Sequence, residues 1–446
     1  MRSQTRRLTS SALVAVLLAA GIGPGLAPVS VAAADGPQLV RDLGPSELVQ
    51  TFVSIGDRIL FTAEDDVYGR ELFVSDGTYD GTHLVKDIRP GSGSSLLWSS
   101  GSDNPNFFTR VGDRVFFLAR DGGNGVGLYV SDGTSAGTKR LMRRRQCDME
   151  SKTLVAAGSR LVLTAEDVSG VCNLYITDGT VAGTLLARAN VPAFGQPRFL
   201  NNHVFFVAGT DPVDGQLWKT DAVPGGVTKI IARFNGEIRQ MTVSGSGLYF
   251  SVGAQFSSWA RLWRTDGTSY GTKQLYPSAQ LSPTNLTDLN GKLVFGVLRY
   301  QGDGIWNRSL WRTNGRNGGT WMLKDWGTDK YAGVAVTWAA DDRVYMLAGE
   351  DLPGFGLWVS DGRTSEGTRF LANLTMFGAA TVGHEIYGVG CYRDQSCEFG
   401  YQFLTSDGTP DGTRQIGEAL NLLPDVGVAG NTVFLNVNGD LWRYVP

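Results

Sequence analysis

The chain has 446 residues, of which 59 are glycine, 42% are apolar, 10% are aromatic and 19% are charged. It is too rich in apolar and aromatic residues for a disordered chain, and its glycines lack the G-x-y period of collagen. A formal charge of −3 excludes a globally basic nucleic-acid binder. So much glycine in an apolar chain reads as many turns between short strands.

The first 34 residues differ from the rest. Arg2, Arg6 and Arg7 form a basic start, Ala12 to Ala20 an apolar run, and Val31 to Ala34 an A-x-A-like cleavage site. Gly21, Gly23 and Pro24 interrupt the run before it reaches the roughly 18 residues that a membrane span needs. The expectation is a secretory signal peptide over 1–34 and a secreted domain over 35–446, possessing no spanning segment. Cleavage leaves 37 basic against 43 acidic residues, a charge of −6.

From there one phrase recurs. ELFVSDGTYDGT runs from Glu71 to Thr82 and continues as LVKDI, Leu84 to Ile88. It returns as GLYVSDGTSAGT, NLYITDGTVAGT, a degraded QLWKTDAVPGGV, RLWRTDGTSYGT, SLWRTNGRNGGT, GLWVSDGRTSEGT and FLTSDGTPDGT. The turn residues are Asp76, Asp132, Asp178, Asp221, Asp266, Asn314, Asp361 and Asp407, spaced mostly in the mid-forties. Such a period marks a repeat architecture rather than the three domains that length alone suggests.

A second phrase precedes each of these: a Gly, Asp or Asn turn followed by alternating Val, Ile, Phe and Tyr. GDRILF at Gly56 to Phe61 is the first copy and GNTVFL at Gly430 to Leu435 the ninth. This is the signature of hairpin-joined strands. Each unit therefore supplies strands a and b around the G-D-R turn, strand c as the L-W/Y-x-x segment, and strand d after D-G-T-x-x-G-T. Four antiparallel strands repeated at this period describe propeller blades.

The two ends close the ring. A lone strand d, LVRDL at Leu39 to Leu43, stands before the first unit, and a lone strand c, LWRYV at Leu441 to Val445, stands after the last strand b. Pairing them completes one blade and removes the open edges. The expected fold is an all-β propeller of nine blades, with eight blades and one displaced unit as the fallback.

The repeated Asp invites a calcium reading. One carboxylate per turn falls short of the six to eight oxygens that calcium takes, whereas an Asx turn with Gly at positive φ accounts for D-G directly. No cofactor is expected. The strand c aromatics (Tyr129, Tyr175, Trp218, Trp263, Trp311, Trp358, Trp442) recur too regularly for a ligand site and are expected between blades. Four cysteines in an oxidising compartment are expected as disulfides. Cys391 and Cys397 flank a short loop that a bond between them would close, which leaves Cys147 and Cys172; the spacing C-x5-C and three distant histidines give zinc little support.

Function is expected where the repeat varies, in the b–c and d–a loops, which share one face of the ring. The candidate ligand contacts there are Tyr68, Arg70, Trp98, Arg143, Trp259, Tyr300, Trp306 and Tyr392. Aromatic rings beside guanidinium and carboxylate groups suit a glycan, a cell-envelope polymer or a protein surface. Arg143 to Arg145 form the one compact basic cluster, beside Cys147. No H-E-x-x-H, G-x-S-x-G, P-loop or dinucleotide fingerprint occurs. A non-catalytic, monomeric binding or adhesion propeller is the reading. The alternatives are a polysaccharide hydrolase or lyase that uses carboxylates around the central channel, and a structural envelope component.

The phrase E-L-W-x-x-D-G-T-x-x-G-T-x-L-V-K-D-I resembles the ELWxxDGT repeat proteins, a family of secreted or surface-exposed bacterial propellers. Glu71 to Ile88 matches nearly throughout, and the repeats span Leu39 to Val445. The resemblance implies a propeller outside the cell, and it carries over no activity, substrate or catalytic residue.

Overall fold

The computed structural model describes residues 36–43, 50–96, 108–123, 126–143, 154–167, 169–191, 194–208, 214–221, 223–224, 226–254, 259–275, 281–302, 305–316, 318–328, 333–349, 356–392, 401–418 and 422–446. The expected signal peptide lies outside them. The described residues contain no helix, and so none long enough to cross a membrane.

They form nine four-stranded antiparallel sheets. Strands a of blades 1 to 9 are Gln50–Ile55, Thr109–Val111, Val155–Ala157, Phe194–Leu200, Glu237–Ser244, Leu281–Leu289, Gly333–Ala339, Leu374–Val382 and Leu422–Ala429. Each strand a touches the strand a of the next blade, and blade 9 returns to blade 1, so the inner strands form a closed ring. The protein is a nine-bladed β-propeller; the eight-bladed fallback is set aside. Blade 9 is completed by Gln38–Arg41, which pairs with Asp440–Tyr444 through Leu39 opposite Trp442. The terminal strand thus supplies strand d of the last blade.

The core is divided among the interfaces between blades. Phe61 and Ile59 of strand b in blade 1 pack back onto Phe434 and Leu441 of blade 9. Leu60, between them in sequence, packs forward onto Val115 and Phe117 of blade 2. Strand b is therefore buried on both faces. That explains its near-continuous apolar run where a half-exposed strand would alternate with polar residues. Strand c aromatics sit in these interfaces as expected, with Tyr129 5% and Tyr175 9% exposed.

Two bulges recur. The pairing of strands c and d slips at Leu72/Phe73, Leu128/Tyr129, Leu217/Trp218, Leu310/Trp311 and Leu357/Trp358. The extra residue on strand d (Val85, Leu141, Ile231, Leu323 and Leu371) turns into the core. Strand a slips against strand b in seven blades. A bulge bends the strand that carries it, which suits an inner strand at the channel wall.

The D-G-T turn explains its own sequence. Asp76 Oδ1 accepts hydrogen bonds from the Thr78 amide at 2.8 Å and the Thr78 hydroxyl at 2.6 Å. Gly77 holds φ at 87°, and its amide donates to Ser75 Oγ at 2.9 Å. Thr82 Oγ1 donates to the Thr78 carbonyl at 2.7 Å, and its hydroxyl also meets Ser75 Oγ at 2.7 Å. A Cβ at Gly81 would land on the Asp76 carboxylate. The same bonds recur at Asp132, Asp178, Asp266 and Asp407.

Cations lock several of the c–d turns to the preceding blade. Arg58 Nη2 donates to the Asp132 carbonyl at 3.1 Å, Arg114 Nη1 to that of Asp178 at 2.5 Å, and Arg312 Nη1 to that of Gly362 at 2.5 Å. From strand d, Lys86 Nζ reaches the Thr138 carbonyl at 2.9 Å, and Arg41 of the closing strand reaches that of Thr82.

Candidate functional site

In an antiparallel order a-b-c-d, the a–b and c–d turns lie at one end of every blade and the b–c and d–a loops at the other. The first end is occupied by the repeated turns just described. The hydroxyl of Thr78 holds the Asp76 carboxyl below its ordinary value, and Asp178, Asp266 and Asp407 are lowered in the same way by their own threonines. Their bonding is local to the turn. Among the described residues, no three His, Cys, Asp or Glu side chains gather as metal ligands.

The b–c end carries the variable chemistry. Trp259 precedes strand c of blade 5, Ala260–Thr265, and Tyr300 lies near the end of strand b of blade 6, Lys292–Gly302. Their ring centroids are 6.1 Å apart at 39°, and Trp259 is 38% exposed. Strand b of blade 6 is 11 residues long and, with Ile305–Thr313, carries its hairpin outward past the core, which places Tyr300 beside the neighbouring blade's loop. Tyr300 is paired across that hairpin with Trp306, whose side chain lies outside the description.

The other expected contacts fall apart from this pair. Tyr68 is exposed in the b–c loop of blade 1, where Asp65 Oδ1 accepts its amide at 2.9 Å. Arg70 is a correction: it is 4% exposed, because its guanidinium is turned inward onto Glu64 Oε2 at 2.5 Å and its amide is held by Ser94 Oγ. Tyr392 packs onto the interface of blades 7 and 8, and its hydroxyl donates to the Thr413 carbonyl at 3.4 Å. Arg143 is exposed and ion-paired with Asp121 at 3.2 Å. Trp98, Arg144 and Arg145 lie outside the described residues. So do Cys147 and Cys397; Cys172 begins strand c of blade 3, and Cys391 is buried near the end of strand b of blade 8.

One aromatic pair was not foreseen. Phe377, 49% exposed in strand a of blade 8, lies 4.9 Å from Tyr401 at 50°. Tyr401 leaves the b–c loop and Phe377 lies early in its strand, so this pair also belongs to the b–c end. Nothing in the spacing of the repeat marks Phe377, because strand a has no fixed phrase before it.

Carboxyls raised by burial are spread over the ring. Glu71, at the head of strand c in blade 1, is pushed up to about 7; Asp425 in strand a of blade 9 and Asp440 at the head of its strand c are also raised. Glu71 accepts from Ser95 Oγ at 2.6 Å and the Arg89 amide at 3.1 Å, and Asp440 accepts the Leu43 amide at 3.1 Å. These two are engaged in holding chain segments.

No family model and no curated protein matches the chain. Among solved structures it is similar to a puromycin hydrolase, with TM-score 0.43 and 15% identity over 75% of this chain and 59% of that one. The chain thus spans 59% of that enzyme's length. It is also similar to the propeller domain of the trilobed protease from Pyrococcus furiosus, with TM-score 0.39 and 13% identity over 66% and 95%. The Dos1 propeller gives TM-score 0.46 and 13% identity over 74% and 89%. These likenesses concern shape alone.

Proposed function

We propose that the chain is a secreted, non-catalytic binding propeller that recognises a glycan or a cell-envelope polymer through its b–c end. The observation that carries this reading is the pair formed by Trp259 and Tyr300, two partly exposed rings from neighbouring blades on the variable end. Such rings offer apolar faces for the C–H surfaces of a sugar at low conformational cost. The leader-like first 34 residues and the resemblance to the ELWxxDGT repeat proteins support a position outside the cell. Residues of the repeat are accounted for by turns and blade packing, so the binding chemistry is assigned to the loops. No cofactor is needed.

The test is a glycan and cell-wall polymer binding screen on residues 35–446, with reducing-end release followed in the same wells. Retention without release, weakened about tenfold by Trp259→Ala, is the expected result. Release of product overturns the non-catalytic reading. Retention of none of the polymers overturns the glycan reading.

A further inference from the structure

The seam between blades 1 and 2 gathers positive charge at the b–c end of an otherwise acidic chain. Asp121, in the b–c loop of blade 2, is ion-paired with Arg140, and both its oxygens lie 3.2 Å from Arg143 Nη2. Arg89, from the d–a segment of blade 1, approaches the same loop: its Cγ would lie 3.7 Å from a Cβ on Gly122. Arg143 Nη2 would lie 2.7 Å from a Cβ on Gly123. The two glycines leave the loop bare, and two guanidinium groups, those of Arg140 and Arg143, flank the Asp121 carboxylate, while Arg89 Nη1 donates to the Ser94 carbonyl at 3.3 Å beside them. The arrangement is tied down, because the Arg120 amide donates to the Ser95 carbonyl at 2.9 Å across the seam. Arg140 and Arg143 nevertheless keep 40% and 49% of their side-chain surface exposed. Other carboxylates of the seam are turned elsewhere, Glu71 onto Ser95 and Asp87 Oδ2 toward the Gly91 amide at 3.4 Å.

We propose that Arg140 and Arg143 form an anion subsite, and that the polymer this face binds is an anionic polysaccharide. Guanidinium groups pair with carboxylate and sulfate oxygens through several N–H donors at once. Asp121 pre-orients both of them in the absence of ligand and competes with it. The site rests on the proposed function only in taking the ligand to be a glycan.

The experiment measures retention of residues 35–446 on dextran sulfate, on polygalacturonate and on neutral dextran, at low and high salt. The subsite predicts retention on the charged polymers that falls steeply with salt, weakens about tenfold in Arg143→Gln and strengthens in Asp121→Asn. The last result separates the subsite from a structural role, since a destabilised loop would not bind better. Preference between the two charged polymers tells sulfate from carboxylate. Charged and neutral polymers retained alike, with both variants silent and Trp259→Ala weakened, overturn the subsite and leave the glycan reading standing. Salt-sensitive retention that Arg143→Gln abolishes and Trp259→Ala leaves unchanged supports the subsite and removes the aromatic pair as the contact. Retention on none of the three overturns the subsite.

Discussion

Arg343 Nη1, at the a–b turn of blade 7, donates a hydrogen bond to the Asp407 carbonyl in the c–d turn of blade 8 at 2.6 Å. Strand d of blade 7 adds Arg369, which reaches the adjacent Gly408 carbonyl through Nε at 3.1 Å. At Arg58, Arg114 and Arg343 the arginine of the a–b turn and the D-G-T turn of the next blade are thus two halves of one joint. This is why both phrases persist while the loops at the other end vary. Arg343→Ala removes a charged donor from a half-buried carbonyl and is expected to cost about 1–2 kcal/mol in denaturant unfolding. Polymer binding at the b–c end should be unchanged. A loss of binding with no loss of stability would mean that the a–b end carries function.

Glu71 makes the stability of the chain depend on pH. Its carboxyl is pushed from 4.5 to about 7, first by burial, against the opposing hydrogen bond from Ser95. A carboxyl whose pKa is raised by folding favours the folded state while it is protonated. The contribution is full below about pH 4.5 and is lost as pH rises through about 7. Glu71→Gln keeps the shape and removes the titration. Relative to the unsubstituted chain, it should gain stability between pH 5 and pH 8, reaching about 2–3 kcal/mol, since each tenfold change in proton affinity is worth roughly 1.4 kcal/mol. Parallel stability curves for the two proteins over that range would exclude the assignment.

The closing strand offers a direct test of the ring. Val40 is 6% exposed and packs with Phe434 and Leu441 of its own blade against Phe61 of blade 1. Val40→Asp places an unpaired charge in that interface, at an expected cost of at least about 3 kcal/mol. Limited proteolysis should then release the segment N-terminal to blade 1 before the rest of the chain unfolds. Loss of all blades at once would show that closure and global folding are a single event.

Much of this architecture was legible because the repeat writes each blade twice, once in the strand b hairpin and once in the c–d turn. The unpaired strands at Leu39 and Leu441 then fixed how the ring closes. What escaped depends on register or on distance in the chain. A bulge is a property of two paired strands, so the slip between Met376 and Gly378 has no period to betray it. Arg70 reads as a loop cation, yet Glu64 lies directly opposite it in the b–c hairpin and draws it inward. The approach of Arg89 and Arg143 to neighbouring glycines, Gly122 and Gly123, joins segments of different blades. Single-chain spacing showed only a run of arginines at 143–145.

The last prediction concerns why the second glycine of D-G-T-x-x-G-T is retained. Gly271 does not require positive φ; a Cβ there would collide with the Asp266 carboxylate, which is held in place by Thr268 Oγ1 at 2.7 Å. Gly271→Ala must therefore displace Asp266 and break its bonds to the Thr268 amide and hydroxyl, at a cost of about 2 kcal/mol. Asp266→Ala loses those same bonds on its own but opens the space. The double variant should cost little more than either single one, a coupling of about 1–2 kcal/mol in a double-mutant cycle. Gly91 is the control: it has φ of 93° and nothing within 4 Å of a built Cβ, so Gly91→Ala meets only backbone strain and should show no coupling to Asp266. Additive costs at Gly271 and Asp266 would show that the glycine answers to something other than the carboxylate beside it.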